Sequence, residues 1–294
     1  MNTQNKIFTF TDGLEFLDSI LALSCSIQTN IDKIAKIEPS NKMSALIRVK
    51  RFIFIGQTLK FFNGRAMFIR RVSALDDENL DLDVLKVLLR GLIEIYCQVV
   101  YVAAKEQNIK SYLWQEISIL ANMNKTKNSS DVQMLQWDYQ ILSHFGITLP
   151  KINILAELFH TQTQGLKDVK ELAAIARGDK SKNIEGLHFP GLRSILKNYY
   201  DENDEPKIPK MDMYSRYSEF SEQIHANVYY EGYTIGTEKY QVVTFLILIY
   251  LKFLKSISVM CGVNEKEISA LIESHKKEFA PKIAELWKAC RVLR

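Results

Sequence analysis

Glycine and proline are scarce in this chain, at 12 and 6 of 294 residues, and that shortage excludes most turn-rich β architectures. Cysteine is rarer still. Cys25, Cys97, Cys261 and Cys290 are widely spaced, with no C-x2-C and no neighbouring histidine, so they read as reduced core residues and not as a zinc or disulfide framework. His144, His160, His188 and His275 have no partner at ligand spacing, and no metal site is expected. Walker, dinucleotide-binding and HExxH signatures are all missing, and no cofactor is expected. A large excess of one charge is missing too: the net charge of +4 does not demand a nucleic-acid partner. The longest uncharged apolar run, Tyr240 to Leu251, has 12 residues, well short of the ~20 that span a bilayer, so it reads as a buried helix with no membrane partner. The first residues, MNTQNKIFTFTDG, show no basic start followed by an apolar run. Together with reduced cysteines, this predicts a cytoplasmic protein.

What is present is apolar residue at helical spacing. Hydrophobic residues make up 47% of the chain, enough for a sizeable core without disulfides or metals. The pattern predicts helices over about 12–37, 41–75, 81–106, 189–200, 211–230, 237–261 and 264–293, with shorter ones between 108 and 177. Gly56 and Gly64 weaken the second without deciding whether it breaks. The expected fold is all-α, a multi-helix bundle with long antiparallel helices. Residues 1–78 read as an N-terminal helical extension on a core domain of 79–294, the two forming one continuous unit. The acidic, proline-punctuated run from Asp201 to Pro209 reads as an exposed connection.

Two polar constellations interrupt the apolar pattern. Between Val84 and Ala104 the strongly polar residues are Lys86, Arg90, Glu94 and Gln98, four apart, forming one slanted stripe on a helix otherwise lined by leucine, isoleucine and valine. A surface helix carries a broader polar face, so this one is central, its seam directed at solvent, a cleft or polar partners. Read plainly, Arg90 and Glu94 are a weak helical ion pair in the less favourable, cation-first order. Read as a site, Arg90 binds an anion such as phosphate while Glu94 orients its guanidinium.

The second constellation lies on 211–230. There Met213, Tyr217, Phe220, Ile224 and Val228 define a core face, with Tyr214, Ser218, Ser221 and His225 along its shoulder. Histidine titrates near neutrality and transfers protons, although beside a core face it also serves as an ordinary structural residue. Neither a nucleophile elbow nor an oxyanion loop accompanies Ser221 and His225, which argues against serine hydrolysis. Tyr229, Tyr230, Tyr233 and Tyr240 add an aromatic patch suited to a pocket or a subunit interface.

A third feature is a stretch of one charge. From Pro39 to Leu75 there are eight basic residues and no acidic one, with Phe52, Phe54, Phe61, Phe62 and Phe68 interleaved. Arg48, Arg51, Lys60, Arg65, Arg70 and Arg71 are the candidate nucleic-acid contacts, because basic side chains beside stacking rings bind RNA or single strands. The competing expectation packs the phenylalanines inward and solvates the charges.

The order R-x3-E on one apolar helix, then S-x3-H-x-N on a later one, is carried by Arg90, Glu94, Ser221, His225 and Asn227. It resembles an uncharacterised group of bacterial helical proteins similar in style to the HEPN superfamily. That resemblance covers about 80–260 and implies helical bundles, frequent homodimerisation, and metal-independent RNA cleavage in toxin or antiphage defence systems. The superfamily's usual signature places a histidine four to six residues after an arginine, whereas here Arg216 precedes His225 by eight intervening residues. If the chain cleaves RNA, His225 is the proton-transfer group and Arg90 the stabiliser of phosphate charge, with Glu94 and Ser221 completing the catalytic set. The alternative is a non-enzymatic interaction or regulatory protein whose seam fixes packing against a partner.

Overall fold

A computed structural model of the chain describes residues 10–34, 42–73, 82–105, 108, 111–112, 189–224, 237–263, 265–282 and 284–285. The expected all-α class is what it shows. The helices are α1 (Phe10–Ile34), α2 (Lys42–Ser73), α3 (Leu82–Ala104), α4 (Leu192–Asn198), α5 (Lys210–Ile224), α6 (Thr237–Cys261) and α7 (Glu265–Ser274). One π-helical turn, His275–Phe279, follows α7, and no strand occurs among the described residues. The helices expected between 113 and 177 lie outside the described residues, as do His144, His160, His188, Cys290, Tyr229, Tyr230, Tyr233 and the side chain of Tyr240.

The chain forms two compact units. One comprises Met1–Asn30, Thr58–Val99 and Leu196–Arg294; the other comprises Ile31–Gln57 and Val100–Ile195. In the second, Arg51 Nη2 donates to the carbonyls of Ala103 (2.6 Å) and Val102 (3.3 Å), satisfying acceptors that the end of α3 leaves open. Phe54 packs on Tyr112 with ring centroids 4.1 Å apart, and Phe189 meets the edge of Tyr101 at 5.0 Å.

The larger unit holds the candidate site. Gly56 and Gly64 do not break α2, because Ile55, Leu59, Phe62, Ala66 and Ile69 keep a buried stripe running past both. Phe62 stacks on Tyr250 and Phe253 of α6, with centroids 4.4 and 4.3 Å away. Beside this stack the Tyr250 hydroxyl donates to Ser24 Oγ (2.9 Å), which in turn lies 2.7 Å from Asn63 Oδ1, so α1, α2 and α6 share one buried hydrogen-bonded chain. Helix α6 ends at Gly262, whose φ of 63° suits a residue lacking Cβ, and Val263 N closes the turn on the Ser258 carbonyl at 3.2 Å.

Two sequence expectations change here. Cys97 is buried, but Cys25 is exposed, because Ser24 occupies the inward register of α1 at that turn. The 201–209 connection is also not simply exposed: Pro206 and Ile208 are buried, and the segment is held by a lysine from the middle of α6. Lys252 Nζ, fully buried, donates to the carbonyls of Asp204 (2.7 Å) and Asp201 (2.9 Å) and lies 4.8 Å from the Tyr200 ring centroid. Lys255 pairs with the Asp204 carboxylate just outside. By length and composition, Val84–Ala104 and Gln241–Cys261 could each cross a membrane, with mean hydropathy 1.6 and 2.0. In this fold 72% of the second segment is buried inside the protein, as core helices of this composition are.

Burial lowers the Lys252 pKa from 10.5 to about 8, with Asp204 and Asp201 opposing the shift. The folded state therefore gives up this proton first. As pH rises between those two values the unfolded chain holds more protons, and the stability contributed at this site increases. Urea unfolding at about pH 7 and about pH 9.5 should show the wild type gaining roughly 2 kcal/mol relative to Lys252→Met across that interval. Parallel pH profiles for the two proteins would refute it.

Candidate functional site

The polar seam of α3 is a graded stripe. Lys86 is buried, while the side chains of Arg90 and Glu94 are 24% and 41% exposed. Arg90 Nη2 lies 3.3 Å from Glu94 Oε1. On its own that pair would be a weak helical contact, and α5 changes it. The Tyr217 hydroxyl donates to Glu94 Oε1 at 3.1 Å and accepts from Arg90 Nη2 at 3.4 Å, closing a triangle between two helices. The Arg90 guanidinium also sits 5.2 Å from the Tyr217 ring centroid. The Arg90 pKa is raised, by the Tyr217 hydrogen bond first and by Glu94 as well, against the opposing effect of desolvation.

A second guanidinium arrives from α2. Arg65 lies over the Phe61 ring at 4.1 Å and rests against Gly91 of α3, where a Cβ would fall 2.6 Å from Arg65 Nη1. Glycine inside a helix costs about 1 kcal/mol relative to alanine. Here its missing side chain is the space the guanidinium occupies. Burial lowers the Arg65 pKa and the field of Glu94 partly restores it; since Glu94 is paired with Arg90, the two arginines and one carboxylate carry one net positive charge. Both Nε atoms are buried and have no acceptor among the described residues. A buried donor without an acceptor is costly, and an incoming oxyanion relieves that cost.

The structure thus brings together Arg90 and Glu94, as expected, and adds Arg65 from the basic stretch and Tyr217 from the helix of Ser221. Ser221 Oγ donates to the Tyr217 carbonyl at 2.7 Å, a bond within its own helix, so it neighbours the triangle without joining it. His225, four residues on, lies outside the described residues, as does Asn227. Arg216 holds Glu219 at 3.0 Å and Gln241 at 3.1 Å. His275 is the histidine the structure does describe. It is buried against Phe16, and burial lowers its pKa to about 4, so it stays neutral.

The basic stretch divides by role. Arg51 is spent on the end of α3, and Arg70 grips Asp18 of α1 with bonds of 2.5 and 2.7 Å. Lys60 and Arg71 are exposed, Arg65 is half-buried at the seam, and the side chain of Arg48 lies outside the described residues. The phenylalanines divide as well: Phe54 and Phe62 are buried, whereas Phe61 and Phe68 are 48% and 46% exposed.

Tyr217 and Gly91 escape sequence reasoning. Tyr217 falls on the core register of α5, and its hydroxyl reaches past that core to the seam. Gly91 carries a signal in hindsight, a helix-weakening residue between Arg90 and Glu94 with no turn nearby. Among the described residues no three His, Cys, Asp or Glu side chains gather as for a metal ion. Comparison of the chain with protein-family models, curated proteins and solved structures finds no match.

Gly91→Ala isolates the Arg65 contact. The new methyl displaces only the far end of a flexible side chain, while helix propensity gains about 1 kcal/mol. Thermal unfolding should show stability unchanged or slightly raised, and a crystal structure should show the Arg65 guanidinium moved off α3. An Arg65 guanidinium left in place beside the new methyl would contradict this account.

Proposed function

We propose that the chain binds RNA or a nucleotide by its phosphate, with Arg65 and Arg90 as the phosphate-holding pair. The observation that supports this is a second guanidinium, that of Arg65, packed against Gly91 beside the Arg90–Glu94 pair, with the buried Nε of each arginine lacking an acceptor among the described residues. The planar fork of arginine matches phosphate oxygens, and two forks bearing one net charge favour an anion over a neutral ligand. Glu94 and Tyr217 serve as positioning residues, holding the Arg90 guanidinium in place. In this reading His225 is the proton-transfer residue should bound RNA be cleaved without metal, in the manner of a toxin or antiphage nuclease.

One observation favours a second reading. Tyr217 links α5 to α3 through both Arg90 and Glu94, which is also what a non-enzymatic protein needs to fix helix packing.

Binding of labelled RNA, with EDTA present to silence contaminating metal nucleases, separates the two. Arg65→Gln and Arg90→Gln should each weaken binding roughly tenfold, the value of one charge-assisted hydrogen bond, and the wild-type affinity should fall as salt rises. Wild-type protein that binds neither RNA nor nucleotide, together with an Arg90→Gln variant that merely melts earlier, would leave the packing role in its place.

A further inference from the structure

The outward arc of α2 has a composition that core packing does not explain. At about 100° per residue, Phe61, Gly64, Arg65 and Phe68 lie within roughly 100° of one another, and Lys60 and Arg71 border the arc on the side away from Arg65. Both phenylalanines are close to half exposed. Gly64 sits between them with nothing within 4 Å of where a Cβ would stand, so the strip between the rings is open. Seven residues of helix separate the rings by about 10 Å along the axis, near three base steps of 3.4 Å.

We infer that this arc is a base-stacking platform for single-stranded nucleic acid. The inference rests on the phosphate-binding reading above and names its ligand class. Stacking on exposed aromatic rings beside a positively charged track is the physical basis of sequence-tolerant single-strand binding. Charge complementarity selects this occupant over a second copy of the chain, since α2 carries eight basic residues and no acidic one and would repel itself. The platform is continuous with the arginine pair. The Arg65 guanidinium covers one face of the Phe61 ring and rests against Gly91 beside Arg90, so a strand whose bases lie on the other face of Phe61 and on Phe68 brings a phosphate to Arg65 and Arg90.

The test compares an oligouridylate of about twelve nucleotides with an abasic strand of the same length, by fluorescence anisotropy on the full chain. Wild type should bind the base-bearing strand at least about tenfold tighter. The double variant Phe61→Ala/Phe68→Ala should lose that preference and keep its affinity for the abasic strand. Because both rings are exposed, its circular dichroism and unfolding temperature should match wild type. Gly64→Glu, which fills open space on the strip with a carboxylate, should weaken oligouridylate binding while leaving the fold intact. Equal wild-type affinity for the two strands, with Arg65→Gln still weakening both, would overturn the platform and leave phosphate binding standing. No binding of either strand would overturn both. Loss of a wild-type dimer in the Phe61/Phe68 variant, seen by sedimentation with unchanged oligouridylate binding, would reassign the face to self-association.

Discussion

The stacking of Phe62 on Tyr250 and Phe253 sets the rotation of α2, and the candidate site depends on that rotation. A helix presents each residue at a fixed angle from its neighbours, so turning Phe62, Ala66 and Ile69 inward leaves Phe61, Arg65 and Phe68 outward. The Ser24–Asn63–Tyr250 chain reinforces the same register, because slipping α2 would leave buried oxygens without hydrogen-bond partners. Arg70 on Asp18 ties the last turns of α2 to α1. With α2 held this way, Arg65 meets α3 at the one position on its seam where a glycine leaves room.

A common solution recurs wherever this fold carries charge inward. Lys252 is paired with two loop carbonyls, Arg51 with two helix-end carbonyls, and Arg90 with Glu94 and Tyr217. The first two use backbone acceptors, which have no proton to exchange and no charge to lose, and they hold local structure in place. Arg65 and Arg90 differ in charge, since together they outnumber the one carboxylate beside them, whereas a buried Nε without an acceptor among the described residues is a feature they share with Arg51. A surplus positive charge in a partly desolvated place is costly to maintain. That imbalance separates the seam from the structural cations and makes it the candidate for a ligand.

Much of the architecture was legible in the residues. Helices α2, α3 and α6 begin and end within a few positions of where apolar periodicity puts them. The seam was legible because four polar residues four apart stand out against leucine and isoleucine. The basic stretch was legible as composition, yet its division was not: Arg51, Arg65 and Arg70 look alike in sequence and have three different partners in space. Tyr217 was hidden for a related reason. A tyrosine in a core register gives no sign that its hydroxyl reaches a charged pair on another helix.

Local rules of spacing, capping and helix propensity act over a few residues, so the amino-acid sequence by itself determined the all-α class, the helix positions, the Arg90–Glu94 stripe and the basic, aromatic character of α2. Tertiary structure alone decided that Arg65 and Tyr217 join that stripe, that Phe61 and Phe68 face outward while Phe62 does not, and that the 201–209 segment is pinned by Lys252. Each of those outcomes depends on contacts between residues far apart in the chain. They are settled by how several helices share one core, and no window of sequence contains that information.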